Sequence, residues 1–241
     1  MAQLNNPAGR LHALLTDFQL ASAAGNVSVL NAWREVLATD SQASTLAAVA
    51  RVAALVPELE VALEATDDQS QVRSFRHFAD DWLAPILTPG LHWGQAGGNL
   101  VQDTPLVMLG SLSSFLGQLY PEGVVPDSEK QEELRGMVAA ALETVRQSDL
   151  PDDVKAVMVR RFHDMQWALD HLAVAGPEGV KAAAERLTGT VVLQEPSIRQ
   201  RIADLGVMDT ALYAWVAFSS GPVAQASLES WPQVFQQIAQ R

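Results

Sequence analysis

The sequence predicts an all-α protein, a multi-helix globular bundle of roughly ten helices with one long loop that contains glycine and proline. Three observations predict this class. Apolar residues recur at steps of three and four in nearly every segment, which is the spacing of one helix face. Helix start and stop signals flank these segments. The one run typical of a strand, Thr190–Leu193, has no neighbouring run with which to pair.

Four helices are predicted before the loop. Their expected first residues or caps are Asn6 with Pro7, Ser28, Asp40 or Ser41, and Asp68. The first is expected to end at Gly25 and the fourth at Leu83. We expect Pro57 to kink or restart the third helix, because proline removes an internal hydrogen bond. The expected core includes Leu11, Leu14, Leu15, Phe18, Leu30, Trp33, Val36, Leu37, Leu46, Val49, Val52, Val56, Val72, Phe75, Phe78 and Trp82.

The segment Ala84–Thr104 interrupts the helical pattern. Two prolines and the glycines at 90, 94, 97 and 98 argue against regular structure there. A structureless segment of about 20 residues is uncommon in a compact domain and is often functional. We therefore expect this loop to be the first place to look for function.

The remaining helices follow the loop. They are predicted over Pro105–Leu119, Ser128–Gln147, Asp149–Gly176, Glu178–Leu187, Ser197–Leu205, Met208–Ser219 and Trp231–Gln240. Asp149–Gly176 has the most complete signals, since Pro151 suits a first turn and Gly176 with Pro177 can close a helix. We expect one helical domain over residues 1–241; a division into two lobes would fall within 84–104 or 120–127.

Composition restricts the class of partner. The net charge of −12 argues against binding to nucleic acid, whose phosphates require a dense cationic face. It favours a protein partner of basic character. The chain has no cysteine, which excludes disulfides and thiolate sites and fits a cytoplasmic protein. Leu106–Leu119 is too short to span a membrane and Val207–Ala226 is interrupted by Asp209, so no membrane association is expected.

Motifs for nucleotide binding and hydrolysis are absent. The sequence contains no GxxxxGK[ST], GxGxxG, GxSxG or HExxH. The glycines of the loop follow no strand, so the strand–turn–helix frame of a phosphate site is missing. His163 and His171 lie off the apolar stripe of their helix among arginines and aspartates, which indicates a charged outer face. We therefore expect no cofactor.

One constellation could hold a metal. His77, Asp80 and Asp81 stand one helical turn apart, and His92 of the loop could join them. Imidazole and carboxylate groups are ligands for divalent cations. The same groups could act as a base and its orienting partner. The alternative interpretation is an ordinarily solvated helix end with local hydrogen bonds.

Aromatic residues mark the loop as a binding segment. Trp82 precedes it and Trp93 lies inside it. A loop tryptophan either fills the core or stays available as a contact anchor. The predicted binding residues are Trp82, His92, Trp93, Gly94, Gly97, Gly98 and Asn99.

Two segments carry a resemblance. NPAGRL at Asn6–Leu11, followed by a Leu-Leu pair and later Trp33, resembles the start of a set of uncharacterised bacterial all-helical proteins. The segment Leu150–Gly176 resembles another part of such proteins. The resemblance implies a bacterial, cytoplasmic helical protein and carries no activity.

The sequence as a whole favours a non-enzymatic protein-interaction module, of accessory, immunity or antitoxin type, whose acidic surface receives a partner. Two alternatives remain open. The first is a metal-assisted enzyme built on His77, Asp80, Asp81 and His92. The second is a small-molecule-binding helical domain in which Trp82, His92 and Trp93 line an apolar pocket.

Overall fold

The computed structural model describes residues 5–23, 27–87, 94, 96, 100–119 and 125–219. These residues form the helices α1 Pro7–Ser22, α2 Val29–Val36, α3 Gln42–Glu64, α4 Gln69–Leu87, α5 Asp103–Leu119, α6 Ser128–Gln147, α7 Asp152–Asp170, α8 Leu172–Val192, α9 Pro196–Asp204 and α10 Val207–Ala217. No strand occurs in the described ranges, where the pairing of Ser28 with Ala96 is an isolated bridge. The predicted all-α fold is therefore confirmed. The predicted helix Trp231–Gln240 lies outside the described residues.

The chain divides into two compact units, Met1–Glu122 and Gly123–Arg241. The division falls between α5 and α6, in the segment 120–127. Whether the two units form one domain stays a prediction. None of the helices in the described part of the chain is long and apolar enough to cross a lipid bilayer.

In the first unit, α1 is the central helix. It packs against α2, α3 and α5, while α4 packs against α3 and α5. The inner face of α1 buries Leu11, Leu14, Leu15 and Phe18, as its apolar spacing predicts. The Phe18 ring lies 4.7 Å from the Trp33 ring, measured between centroids. This aromatic pair joins α1 to α2 at the centre of the unit.

Side-chain caps define several helix starts as the sequence predicts. Asn6 and Ser28 each accept a hydrogen bond from a backbone amide in the first turn, and Ser41 does the same within a reciprocal capping box. Asp68 accepts hydrogen bonds from the hydroxyl and amide of Ser70. These bonds hold the pKa of Asp68 below its ordinary value of 3.8.

Two interior prolines leave their helices unbroken. The helix α3 continues through Pro57 to Glu64, so of the two expected effects of this proline the restart does not occur. Val56 and Leu59 on either side of this proline are buried, and their burial offsets one missing helical hydrogen bond. The helix α4 likewise passes Pro85 and ends at Leu87.

The predicted irregular segment Ala84–Thr104 is consequently shortened at both ends. Its first residues belong to α4, which ends four residues beyond the predicted Leu83. Its last two residues belong to α5, which begins at Asp103. The end of α4 at Leu87 and the start of α5 at Asp103 therefore flank the loop directly.

In the second unit, α6, α7, α8 and α10 enclose the core. The helix α7 packs against α6 and α8, and α10 packs against the same two helices. The apolar stripe predicted for α7 is buried: Val154, Met158, Phe162, Met165 and Leu169 all face inward. The helix α9 packs against α8 and α10 and contributes buried Ile202.

The single helix predicted over Asp149–Gly176 is wrong at its C-terminal end. The helix α7 ends at Asp170, and α8 begins at Leu172. Arg135 of α6 donates to the Leu169 carbonyl oxygen at 3.1 Å and forms an ion pair with Asp170 at 3.2 Å. A cation at this position satisfies a terminal carbonyl and interacts favourably with the helix dipole. The sequence of α7 does not reveal this contact.

Gly176 has a positive φ of 64°, which favours glycine, but its ψ of 177° is extended and it does not close α7 as the sequence predicts. It interrupts α8 just before Pro177, and the helix then continues past Gly189 to Val192. The isolated strand-like run Thr190–Leu193 is thus helical as far as Val192. The Thr190 hydroxyl donates to the Arg186 carbonyl oxygen one turn earlier, at 2.8 Å, which accommodates this β-branched residue in a helix.

Candidate functional site

Trp82, the first predicted binding residue, is a core residue. It lies on α4 with 1% of its surface exposed. Its ring packs against those of Phe75 and Phe78, at centroid distances of 5.7 and 6.3 Å. Its indole nitrogen donates to the Pro105 carbonyl oxygen at 2.9 Å. Because Pro105 lies in the first turn of α5, this bond joins the two helix ends that flank the loop.

A second buried tryptophan supports the same region. The indole nitrogen of Trp33 donates to the Pro85 carbonyl oxygen at 2.9 Å. In a helix this carbonyl would accept from the amide of residue 89, but that residue is proline and has no N–H. Trp33 therefore donates to a carbonyl that lacks the i+4 amide of a regular helix. Sequence reasoning placed Trp33 in the core and missed this role, although the spacing of Pro85 and Pro89 is its signal.

Two further contacts reach the loop from α1 and α2. The side-chain amide of Gln19 donates to the Val101 carbonyl oxygen at 3.4 Å and to the Asp103 carboxylate at 3.2 Å. The bridge between Ser28 and Ala96 joins the loop to the start of α2. The described parts of the loop thus contact α1 and the start of α2.

Of the predicted binding residues within the loop, only Gly94 lies among the residues that the structure describes. Gly94 is exposed, and a side chain built there would meet no atom within 4 Å. The residues His92, Trp93, Gly97, Gly98 and Asn99 lie outside the described residues. Binding by this loop therefore stays a prediction.

The metal constellation is likewise incomplete. His77, Asp80 and Asp81 are exposed on α4. His77 lies edge-on to Phe78 at a centroid distance of 4.6 Å. In the described ranges, no three or more histidine, aspartate or glutamate side chains are grouped so that they could hold a metal ion. With His92 outside these ranges, the metal hypothesis stays a prediction.

The second unit contains a feature that sequence reasoning missed. A depression of about 380 Å³ opens at the start of α6, lined by Pro126, Asp127, Glu129, Lys130 and Glu133. Asp127 caps α6 by accepting from the Lys130 amide at 2.9 Å. The acidic run around Ser128 is the signal that could have found it.

The single cation of this depression is already engaged. The Lys130 ammonium lies 2.8 Å from a Glu133 carboxylate oxygen and 4.1 Å from the centre of the Tyr213 ring. The Tyr213 hydroxyl donates to the other oxygen of Glu133 at 3.3 Å. These contacts connect α6 with α10, because Tyr213 lies on α10. They leave the depression with a surplus of negative charge.

Glu129 and Asp127 carry that surplus. Glu129 is exposed in the first turn of α6 and forms no ion pair with another described residue. Asp127 is also exposed, although one of its oxygens accepts from the backbone. A guanidinium or ammonium group entering from outside would find these two carboxylates on the rim. The arrangement suits recognition of a basic side chain.

No protein-family model matches this chain, and neither the curated proteins nor the solved structures contain a significantly similar one.

Proposed function

We propose that this protein is a non-enzymatic protein-interaction module that binds a basic partner at the carboxylate-lined depression of α6. The observation that carries the proposal is the lining itself, which contains the carboxylates of Asp127, Glu129 and Glu133 and one ammonium already paired with Glu133. An arginine or lysine of a partner would find acceptors there and no free cation to compete with it.

The charge of the whole chain supports the same class of partner. A net charge of −12 attracts basic surfaces over distances of about 8 Å at physiological salt. This attraction speeds encounter, while contacts in the depression set specificity. Accessory, immunity and antitoxin-type proteins act by such binding, and we assign the chain to this group. We further propose that it is bacterial and cytoplasmic, since it lacks cysteine and resembles uncharacterised bacterial helical proteins.

A basic peptide tests the depression directly. The double variant Asp127→Asn, Glu129→Gln removes two negative charges, and asparagine retains the capping acceptor. The matched control Asp152→Asn, Asp153→Asn removes two charges from the exposed first turn of α7. Binding of a fluorescent hexa-arginine peptide to the full chain is measured by anisotropy at physiological salt.

We expect the depression variant to bind about fivefold more weakly, since two exposed ion pairs together contribute about 1 kcal/mol. The control is expected to change affinity by less than twofold, through the general loss of charge alone. Equal effects of the two variants would remove the depression from the proposal. Failure of the wild-type chain to bind the peptide would overturn the basic partner.

The partner itself is identified by comparison of the same two variants. Full-length protein is used to capture proteins from its native host at physiological salt. A partner is accepted when the control variant retains it and the Asp127→Asn, Glu129→Gln variant loses it. If every captured protein is retained by both variants, the depression is not the binding site.

A further inference from the structure

The depression at the start of α6 holds a cation that belongs to the chain itself. The Lys130 ammonium lies 2.8 Å from one oxygen of Glu133 and above the Tyr213 ring, 4.1 Å from its centre. The Tyr213 hydroxyl donates to the other oxygen of Glu133 at 3.3 Å. An aromatic face with a carboxylate beside it is an arrangement that attracts cations. The Glu133 carboxylate and the Tyr213 ring are called the cation position below.

The stability of α6 does not explain why a lysine stands at residue 130. The helix begins at Ser128, so Lys130 lies in its first turn. A cation there faces the positive end of the helix dipole, which is unfavourable. Lys130 also precedes Glu133, and this is the less favourable order for an ion pair along a helix. The cation position therefore holds Lys130 against the electrostatic preference of its own helix.

The Lys130 ammonium can leave this position without disturbing the fold. The side chain of Lys130 is 33% exposed and that of Glu133 is 50% exposed. Water screens an ion pair at this level of exposure, so the pair contributes little to stability. The flexible four-carbon stem of lysine lets the ammonium turn into solvent. The backbone amide of Lys130 meanwhile stays bonded to Asp127, which caps α6.

We propose that Lys130 fills the cation position in the free protein and that an arginine of the basic partner displaces it. This inference rests on the proposed function, because it concerns the same depression. A planar guanidinium can lie on the Tyr213 ring and donate to Glu133. Its other N–H groups then remain available to Asp127 and Glu129 on the rim. The ammonium of a partner lysine is a compact point charge without this fork of donors, so the depression selects arginine.

Removal of the internal competitor tests the proposal. Lys130→Ala vacates the cation position and removes one positive charge. Lys181→Ala is the matched control, because Lys181 forms an ion pair of the same sequence spacing with Glu178 in the same unit but does not line the depression. Binding of hexa-arginine and hexa-lysine peptides to the full chain is measured by anisotropy at physiological salt.

We expect Lys130→Ala to bind hexa-arginine about fivefold more tightly than the wild type, since the partner no longer competes with the chain's own cation. Lys181→Ala should gain less than about twofold, through the general change in charge. For hexa-lysine, the two variants should gain equally. A fivefold gain for both peptides would contradict the selection of arginine.

The role of the ring is tested in the Lys130→Ala background. Adding Tyr213→Phe keeps an aromatic face and should preserve the gain for hexa-arginine. Adding Tyr213→Leu removes that face and should abolish most of the gain. Equal affinities of these two double variants would exclude the Tyr213 ring from the cation position.

A measurement on the wild type requires no substitution. N-acetylated hexa-arginine contains no amine, so acetylation of the protein's own lysines can be followed by mass spectrometry with and without the peptide. If an arginine displaces Lys130, its acetylation rate should rise by about twofold or more relative to that of Lys181, because the ammonium leaves its ion pair. An unchanged or lower rate would show that the peptide leaves Lys130 in place.

Failure of this inference differs from failure of the proposed function. A wild type that binds hexa-arginine and weakens in the Asp127→Asn, Glu129→Gln variant retains the proposed function. If Lys130→Ala then binds no more tightly than Lys181→Ala, the displacement of Lys130 is wrong. A wild type that binds no peptide overturns both.

Discussion

Replacing Trp33 with phenylalanine is expected to destabilise the first unit through one hydrogen bond and one packing defect. The indole is fully buried and donates to the Pro85 carbonyl oxygen at 2.9 Å. Residue 89 has no N–H to replace this donor. Phenylalanine retains the aromatic contact with Phe18 but removes the indole donor from this buried carbonyl.

The magnitude follows from these two losses. A buried acceptor left unsatisfied costs about 1–3 kcal/mol. The smaller ring leaves a void beside Phe18 that adds about 1 kcal/mol. We therefore expect Trp33→Phe to lower the free energy of unfolding by about 3 kcal/mol. With a urea dependence of about 2 kcal/mol per molar, the midpoint falls by about 1.5 M.

Trp215→Phe provides the matched control. The indole of Trp215 donates at 3.0 Å to Glu185, and this bond is exposed. Water can replace the lost donor there, so we expect a change below about 1 kcal/mol. Urea unfolding is followed by far-UV circular dichroism, and unfolding of the two units in separate steps would assign each shift to its unit. A midpoint shift for Trp33→Phe no larger than that for Trp215→Phe would refute the reasoning.

Two other experiments test local features of the second unit. Gly136→Ala should raise stability by about 0.5–1 kcal/mol, since Gly136 lies within α6 with no atom near its missing side chain. Gly179→Ala should lower stability by about 1–3 kcal/mol, because its Cβ would lie 2.8 Å from that of Ala175. If the thermal midpoints of Gly136→Ala and Gly179→Ala move in the same direction relative to wild type, this pair of predictions is wrong. The hydrogen bond and charge of Arg201 hold the pKa of Asp149 below its ordinary 3.8. This carboxylate therefore stabilises the fold above pH 3.8, and its contribution is lost as the pH falls through the lowered pKa. Asp149→Asn should be less stable than wild type near neutral pH, with a difference that closes in acid; a difference independent of pH would exclude the ion pair as its cause.

Much of the helical framework could be predicted from local sequence. Asn6, Ser28 and Ser41 cap the helices that their positions predicted. Such signals are readable because a cap bonds to an amide two or three residues away. Errors occurred where distant contacts outweighed local preference. Pro57 lies inside α3 because the residues around it are buried. Thr190 is helical although its β-branched side chain and its neighbours favour a strand.

The candidate site was less predictable, because its parts are remote in sequence or unremarkable by themselves. Trp82 could be recognised as either a core residue or an anchor, and only its burial and its bond to Pro105 in the folded unit decided between them. Glu133, which lines the depression at the start of α6, is hydrogen-bonded to Tyr213, which lies 80 residues beyond it in sequence. No local pattern indicates that these two side chains meet.

The sequence by itself determined the all-α class and the side-chain caps at the starts of α1, α2 and α3. Each of these depends on residue types and on hydrogen bonds between near neighbours. Only the tertiary structure shows that the Trp33 indole donates to the Pro85 carbonyl oxygen, 52 residues away in sequence. Only it shows that α7 ends where Arg135 of α6 contacts the last turn of α7. Those outcomes depend on the free energy of packing between distant segments. This free energy exceeds the small differences in helix propensity between residues, and no single segment of the sequence contains it.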